Sequence, residues 1–314
     1  MDIRVIVNPE LYAAARAGLT TQPKTLDPKW FYDAAGSALF EQITELPEYY
    51  PTKTELSILR SQTDAIAAHV PSGGALVELG SGASVKTRVL LDRLTHLGAY
   101  VPLDISAAFL AQTAANLRTA YPGLEITPVV ADFLQTITLP QHLAGTPKTA
   151  YFPGSTLGNL APTAAVDLLA RVHDWGNVRS FILGVDLVKD RETLIRAYDD
   201  SAGVTAAFNR NVLLRLNREV GATFDVDQFA HEARWNAPRA RIEMHLVSQT
   251  AQTVQLGPTA VHFTAGESIH TENSRKYTSE SISRIATSAG WRVAEILTDP
   301  QDWFAVCILE PSGR

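Results

Sequence analysis

ALVELGSGASVK, residues 75–86, is an apolar run carrying one acid that breaks into a Gly-x-Gly turn and then into a helical pattern. The run at 75–79 predicts a buried strand, and Val85, Val89 and Leu90 recur with the spacing of a helix over 84–96. Between them Gly80 and Gly82 permit positive φ and let another molecule lie against bare backbone. The next apolar run, 100–103, ends at Asp104, 22 residues after Gly82, where a strand-end carboxylate can accept both hydroxyls of a ribose. Glycine turns after strands are common for purely structural reasons; the acid at this distance is what points to a nucleoside. The third glycine of a dinucleotide fingerprint is replaced by Val85, which disfavours a diphosphate on the helix N-terminus. A cofactor with a ribose and no diphosphate, such as S-adenosylmethionine, fits this pattern.

Outward from this turn the pattern alternates. A helix is expected over 106–120 with Ser106 as N-cap, then a YPG break, a strand ending at Asp132, a strand at 149–152, the loop PGSTLGN at 153–159, a helix at 163–173 and an apolar strand at 180–185 ending at Asp186. That rhythm predicts a parallel sheet with covering helices, and it puts Glu78, Asp104, Asp132 and Gly154 at carboxyl ends of strands, where such sheets bind ligands. The rhythm stops at Lys189. A helical piece over 191–219, broken near Gly203, and strand-like runs at 241–249, 253–256 and 260–263 suggest an inserted lobe. The pattern resumes with a helix at 279–288, Gly290 as its stop, a strand at 292–297, the turn TDPQ and a strand at 303–309. The expected fold is therefore α/β: a class I, Rossmann-like methyltransferase sheet with a terminal antiparallel hairpin, interrupted by an inserted lobe that begins at Lys189.

Composition narrows the partners. The 314 residues hold 27 basic and 33 acidic side chains, a net charge of −6, and no Lys/Arg stripe able to track a phosphate backbone, so nucleic acid is not an expected partner. The start has no basic segment followed by a long apolar core, and no stretch reaches 18 apolar residues; the expectation is a cytoplasmic protein, a monomer, with no membrane contact. Cys307 is the one cysteine and lies in FAVCILE, the setting of a buried strand thiol. The eight histidines include no i, i+3 or i, i+4 pair and no His-Glu-x-x-His word, so no metal is expected and all eight read as structural or surface residues. Pro153 and Leu157 stand where a hydrolase elbow around Ser155 would need glycine.

Several longer words carry a resemblance: PKWFYDAAGSALFEQITELPEYYPTKTE (28–55), VELGSGASVKTR (77–88), FPGSTLGN (152–159), GVDLVKD (184–190), AYDDSAGVTAAFNRN (197–211), RIEMHL (241–246) and TENSRKY (271–277). In these the chain strongly resembles the histidine-specific methyltransferases of ergothioneine biosynthesis, through nearly its whole length. The resemblance implies a second, α+β substrate-binding domain built from the N-terminal segment and the central insertion, so that the cofactor domain takes 53–188 plus 279–314 and the substrate domain 1–52 plus 189–278. It implies three successive methylations of the α-amino group of free L-histidine by S-adenosylmethionine, giving the betaine hercynine and S-adenosylhomocysteine. It implies that Gly80 and Gly82 shape the turn under the methionine part, Lys86 lies near its carboxylate, Asp104 holds the ribose diol, and Asp132 with Phe133 brackets adenine. It further implies that Asn159, Tyr49 and Tyr198 hold the substrate carboxylate, that Tyr32, Phe40 and the loop from Gly154 to Thr156 surround the amine, and that Glu272 and Ser274 meet the imidazole while Met244 shapes its pocket.

The residue types suit these tasks. An amine that gains methyl groups becomes a quaternary cation, which aromatic faces attract; a carboxylate and a hydroxyl can meet both imidazole nitrogens. Each also has a bland alternative: Lys86 as a solvated helix lysine, Asp132 as a strand-ending cap, the tyrosines as packing residues, Glu272 as a loop carboxylate. Tyr50 is read as packing. No side chain is assigned as general base. Competing functions are N-methylation of another aromatic amino acid such as tryptophan, a noncatalytic adenosylmethionine-binding module, and a nicotinamide dehydrogenase, against which the missing glycine and the terminal hairpin both speak.

Overall fold

The computed structural model describes residues 6–82 and 84–313. The chain divides into two compact units, Met1–Tyr50 with Lys189–Arg275, and Pro51–Val188 with Lys276–Arg314. The first five residues, which the sequence reading assigned to the substrate domain, lie outside the described residues.

The second of these units is built on an eight-stranded sheet. Its strands lie in the order Trp291–Thr298, Phe304–Pro311, Val178–Asp186, Lys148–Phe152, Ala75–Leu79 and Ala99–Asp104, the last flanked by the short strands Glu125–Ile126 and Val129–Val130. All pairings are parallel except those of Phe304–Pro311, which runs antiparallel to both neighbours. Ala75–Leu79, Lys148–Phe152 and Val178–Asp186 are buried almost throughout, which is why they read as apolar runs without alternation. One face packs Phe152, Phe181 and Trp291 against Leu168, Leu169 and Val172 of the Pro162–His173 helix and Ile282 of the Ser279–Ser288 helix. Another cluster joins Leu76 and Ile308 to Ile58, Leu59, Leu90 and Leu117 from helices Tyr50–Ser61, Val85–Leu91 and Ala107–Ala120. Each such side chain withdrawn from water contributes about 1.5–3 kcal/mol.

Three local expectations need correction. The helix expected over 84–96 ends at Leu91, because the chain turns there to bury Leu94 and Leu97 and then brings Gly98 so close to Gly73 that a Cβ would stand 2.7 Å from its carbonyl oxygen. Ser106 takes the N-cap position, but its side chain makes no capping bond. Asp132 does not end a strand: the strand stops at Val130, and Asp132 begins a turn by accepting from the Leu134 N–H at 2.8 Å.

The other unit carries a four-stranded sheet in the order Lys24–Thr25, Ser268–Arg275, Arg241–Ser248, Phe229–Asn236, with the hairpin Gln252–Leu256 and Thr259–Phe263 separate from it. Helices Arg191–Tyr198 and Val204–Val220 replace the one helical piece, divided at Gly203, whose φ of 73° is left-handed. The longer helix buries Phe208, Val212, Leu213 and Leu216 and packs on the Phe229–Asn236 and Arg241–Ser248 strands. Two strands, Phe229–Asn236 and Ser268–Arg275, have too much polar sequence to show as apolar runs. Cys307 is fully buried, and burial pushes its thiol up to about 12, so it is an inert core residue. Among the described residues no helix is long and apolar enough to cross a membrane.

Candidate functional site

In the eight-stranded unit the carboxyl ends of the strands gather the residues expected to hold a cofactor. Gly80, Gly82 and Ser84 all have positive φ, at 67°, 48° and 54°, so the chain after Ala75–Leu79 curls left-handed before the Val85–Leu91 helix begins. A Cβ on Gly80 would meet the Phe133 ring at 3.5 Å, whereas one on Gly82 would meet nothing within 4 Å. Asp104 spans this turn: Oδ2 accepts from the Gly82 N–H at 3.1 Å and Oδ1 from the Ser106 N–H at 2.9 Å. Each oxygen keeps a second acceptor site, the bidentate donor-free edge that a vicinal diol needs. Phe133 stands edge-on to Phe152, with centroids 5.2 Å apart.

Beneath the turn lies a buried polar cluster around Glu78, which the sequence reading placed at a strand's carboxyl end without giving it a role, and Glu55, which it did not single out. Glu78 is 1% exposed and accepts from Thr87 Oγ1 at 2.5 Å and from the Tyr100 hydroxyl. Burial pushes its carboxyl up to about 8, so it is held neutral near pH 7. Beside it the Lys86 ammonium, expected near a cofactor carboxylate, is held 2.5 Å from Glu55 Oε2. The loop after Lys148–Phe152 is shaped by Gly154 and Ser155, with φ of 76° and 58°. Ser155 Oγ accepts from the Asp186 N–H at 2.9 Å, and Thr156 Oγ1 donates to the Pro153 carbonyl at 2.9 Å. A single-turn helix, Thr156–Asn159, follows, so Gly154, Thr156 and Asn159 share one compact turn.

In the four-stranded unit the expected aromatic residues do meet. Tyr32 and Phe40 are edge-on at 5.7 Å, Phe40 and Tyr49 at 6.4 Å, and Tyr49 and Tyr198 at 6.1 Å. Phe208, which the sequence reading missed, packs 5.7 Å from Tyr32 and 6.0 Å from Phe40. Asp33 fixes this geometry by accepting from the Gly36 N–H, Asn211 Nδ2 and Arg218, which caps the Ala34–Glu45 helix and so sets Phe40. Glu272 and Ser274 are buried on the Ser268–Arg275 strand, and Met244 is the cross-strand partner of Glu272, just past a bulge after His270. Tyr198 and Ser274 join hydroxyls at 2.7 Å. Tyr32 is 44% exposed, yet its phenol is pushed well above its ordinary value, first by desolvation at its hydroxyl end and then by the negative Glu272. Thus Glu272 is not the solvated loop carboxylate of the bland reading. Tyr50 receives a hydrogen bond from Lys189 Nζ at 2.8 Å.

The helix-spacing test for metal ligands misses one cluster. Glu243 and His245 are two apart on one strand, and His270 is paired across from His245, so one ligand atom from each falls within 4.8 Å of the others. The two rings stack at 4.9 Å, Glu243 Oε1 already accepts from Arg241 and Asn236 at 2.7 and 2.9 Å, and Arg234 bears on His245. A cation entering there would meet two guanidinium groups.

A parallel sheet that receives one antiparallel strand next to its edge, with a glycine turn after one strand and an acid at the end of the next, defines a class I methyltransferase fold. The chain belongs to the histidine-specific, S-adenosylmethionine-dependent methyltransferase family, whose sequence model matches residues 11–311. It is 46% identical to a histidine N-alpha-methyltransferase of Mycolicibacterium smegmatis and 45% identical to one of Mycobacterium tuberculosis, in each case over 93% of this chain and 92% of the relative. A 4-dimethylallyltryptophan N-methyltransferase of Epichloe festucae var. lolii is 26% identical over 87% of each chain.

Proposed function

We propose that this enzyme transfers methyl groups from S-adenosylmethionine to the α-amino group of L-histidine, three times in succession, to give hercynine, a step of ergothioneine formation. The observation that carries the reading is the buried pair Glu272 and Ser274, close enough to the aromatic set for Ser274 to bond Tyr198 and for Glu272 to bear on Tyr32. A carboxylate and a hydroxyl suit the two nitrogens of an imidazole, while an indole offers one donor and no acceptor. The much higher identity to histidine enzymes than to the tryptophan-derivative enzyme supports the same choice. A noncatalytic binding module would leave this buried set without a purpose.

In the four-stranded unit, Glu272 and Ser274 are assigned to the imidazole, Met244 to the pocket wall, Tyr49 and Tyr198 to the carboxylate, and Tyr32 and Phe40 to the amine as it becomes a cation. In the eight-stranded unit, Asn159 is assigned to the carboxylate and Gly154 and Thr156 to the amine. Gly80, Gly82, Lys86, Asp104, Asp132 and Phe133 are assigned to the cofactor. The donor set fits that group: an open space over Gly82, a bidentate acceptor at Asp104, and a ring with an acid beside it at 132–133. When bound, S-adenosylmethionine supplies an electrophilic methyl on a sulfonium whose departure leaves a neutral thioether. The protein's part is to strip water from the amine and align its lone pair in line with that methyl. No nucleophilic side chain and no metal are needed, and proton loss from the amine to water between rounds suffices in this reading. A cytoplasmic monomer acting on small molecules alone is consistent with the acidic composition; a dimer in sedimentation would overturn the monomer.

The test is incubation with labelled S-adenosylmethionine and each of the twenty amino acids. Histidine should take up label and gain three methyl groups by mass. Equal labelling of tryptophan, or label on no amino acid, would defeat the reading.

A further inference from the structure

Glu55 lies on the Tyr50–Ser61 helix and its side chain is fully buried. Its Oε2 is 2.5 Å from the Lys86 ammonium and 2.9 Å from the Gly154 N–H, and Oε1 accepts from the same N–H at 3.1 Å. Three elements distant in sequence thus meet on one carboxylate: the helix at 50–61, the first turn of the helix after Gly82, and the loop after the Lys148–Phe152 strand. The Val178–Asp186 strand makes room for it. A Cβ on Gly184 would stand 2.2 Å from Glu55 Oε1 and 3.3 Å from the Gly154 nitrogen, so only glycine admits the carboxylate where it is. Gly154 is less tight, since a Cβ there would stand 3.3 Å from Lys86 Nζ, but its φ of 76° itself favours glycine.

We infer that Glu55 is a positioning residue for methyl transfer, one that sets the Lys86 ammonium for the cofactor and the Gly154 loop for the amine from a single buried carboxylate. This rests on the cofactor and substrate reading above. An ammonium has three donors, so the bond to Glu55 fixes Lys86 without exhausting it. A buried ion pair contributes little net stability compared with apolar packing of the same volume, so stability alone gives no reason to place one here, between the two groups that the reading assigns to the cofactor and the amine. Fixing such groups from behind by a buried partner is how reactive geometry is held within tenths of an ångström.

The experiment uses Gly184→Ala, which keeps both charges and displaces the carboxylate, alongside Glu55→Gln and the charge-neutral double variant Glu55→Gln/Lys86→Gln. S-adenosylhomocysteine affinity is read by calorimetry, kcat and KM for histidine by product mass, and folding by circular dichroism and thermal melting. Gly184→Ala should weaken S-adenosylhomocysteine by ~10-fold and lower kcat by ~10- to 100-fold, as expected for displacement of a positioning group. Glu55→Asp, one methylene shorter, should restore part of both losses when combined with Gly184→Ala. A structural role alone would lower the melting temperature and leave affinity and kcat untouched. Folded Gly184→Ala and folded Glu55→Gln, or the double variant where the single one does not fold, with wild-type affinity and kcat would overturn the inference. S-adenosylhomocysteine is titrated with and without histidine: wild-type protein that binds it and methylates no histidine would sink the substrate assignment alone, and failure to bind it under either condition would sink both.

Discussion

The two units solve opposite electrostatic problems. Under the glycine turn of the eight-stranded unit the chain pairs a buried carboxylate, Glu55, with the half-buried ammonium of Lys86, and keeps a second acid, Glu78, inside the hydrogen-bond reach of Thr87 and Tyr100. In the four-stranded unit the corresponding residues are rings, Tyr32, Phe40, Tyr49, Tyr198 and Phe208, with Glu272 as the acid that bears on Tyr32. A ligand that arrives charged and rigidly shaped suits fixed charges and backbone donors. A substrate whose charge changes with each methyl suits polarisable faces, which attract a cation without a hydrogen bond it can no longer return. The difference therefore teaches which groups should be sensitive to charge removal and which to shape, and it can be broken residue by residue.

The largest effect should come from Glu78. Its folded carboxyl is raised to about 8 by burial, whereas in the unfolded chain it titrates near an ordinary glutamate. Between those two values the folded protein holds a proton that the unfolded chain has released, so the contribution is complete below the unfolded value and is lost as pH rises towards about 8. Glu78→Gln removes the titration. Relative to this variant, wild-type stability should fall by several kcal/mol across that window, as a shift of this size implies. Chemical denaturation at a series of pH values reads it, and parallel curves for the two proteins would mean that Glu78 is ionised in its pair with Thr87 and Tyr100.

Selectivity should come next. Glu272→Ala should leave an imidazole without its acceptor while removing a buried carboxylate whose desolvation the bulkier indole, with a single N–H and no acceptor for Ser274, offsets less well. The ratio of kcat/KM for histidine over tryptophan should fall by ~100-fold or more, in line with sites built around a polar group of the substrate. Met244→Val, which enlarges the space beside Glu272, should favour the indole further in the double variant. A ratio unmoved in every variant would place the side-chain pocket elsewhere.

How much of this was readable beforehand follows from periodicity. Ala75–Leu79 and Val178–Asp186 are buried on both faces, so their apolar runs announce themselves, and with Gly80, Gly82 and Asp104 they disclose the fold and the cofactor end. Ser268–Arg275 bears Glu272 and Ser274 on a strand of mostly polar residues, SIHTENSR, whose register shifts at a bulge; neither a period of two nor an apolar run is left to read, and only family resemblance marked those positions. Glu55 and Phe208 sit in helices where an acid and an aromatic are ordinary. What singles them out is tertiary: a strand glycine, Gly184, that makes room for one, and three rings around the other. The Glu243, His245 and His270 cluster was missed because the spacing test assumed a helix, while a sheet assembles neighbours at i, i+2 and across the ladder.

Asp104→Ala should weaken S-adenosylmethionine by about 1.5–3 kcal/mol, the range for hydrogen bonds to a charged group. The carboxylate also accepts from the Gly82 and Ser106 N–H groups, so part of any loss could come from a loosened turn. Asp104→Asn separates the two, since its amide oxygen can still accept from one backbone N–H while its NH2 group faces the diol with the wrong polarity. If the Asn variant melts as wild type does and still loses cofactor affinity, the diol role stands. Unchanged affinity in both folded variants would remove Asp104 from the cofactor site.

The smallest effect sharpens the comparison most, because it separates ring from hydroxyl. Tyr49→Phe leaves the edge-on contacts with Phe40 and Tyr198 in place and deletes only a donor assigned to the substrate carboxylate. A hydrogen bond to a carboxylate, at about 1.5 kcal/mol the low end of the range for charged partners, corresponds to a ~10-fold rise in KM for histidine with little change in kcat, since the carboxylate is bound equally before and during transfer. Histamine, which lacks the carboxylate, should be a poor substrate for wild type and should lose nothing further in the variant. If histamine and histidine respond alike to Tyr49→Phe, the hydroxyl acts on the ring box and not on the carboxylate, and Tyr49 belongs with Phe40 as part of the aromatic wall.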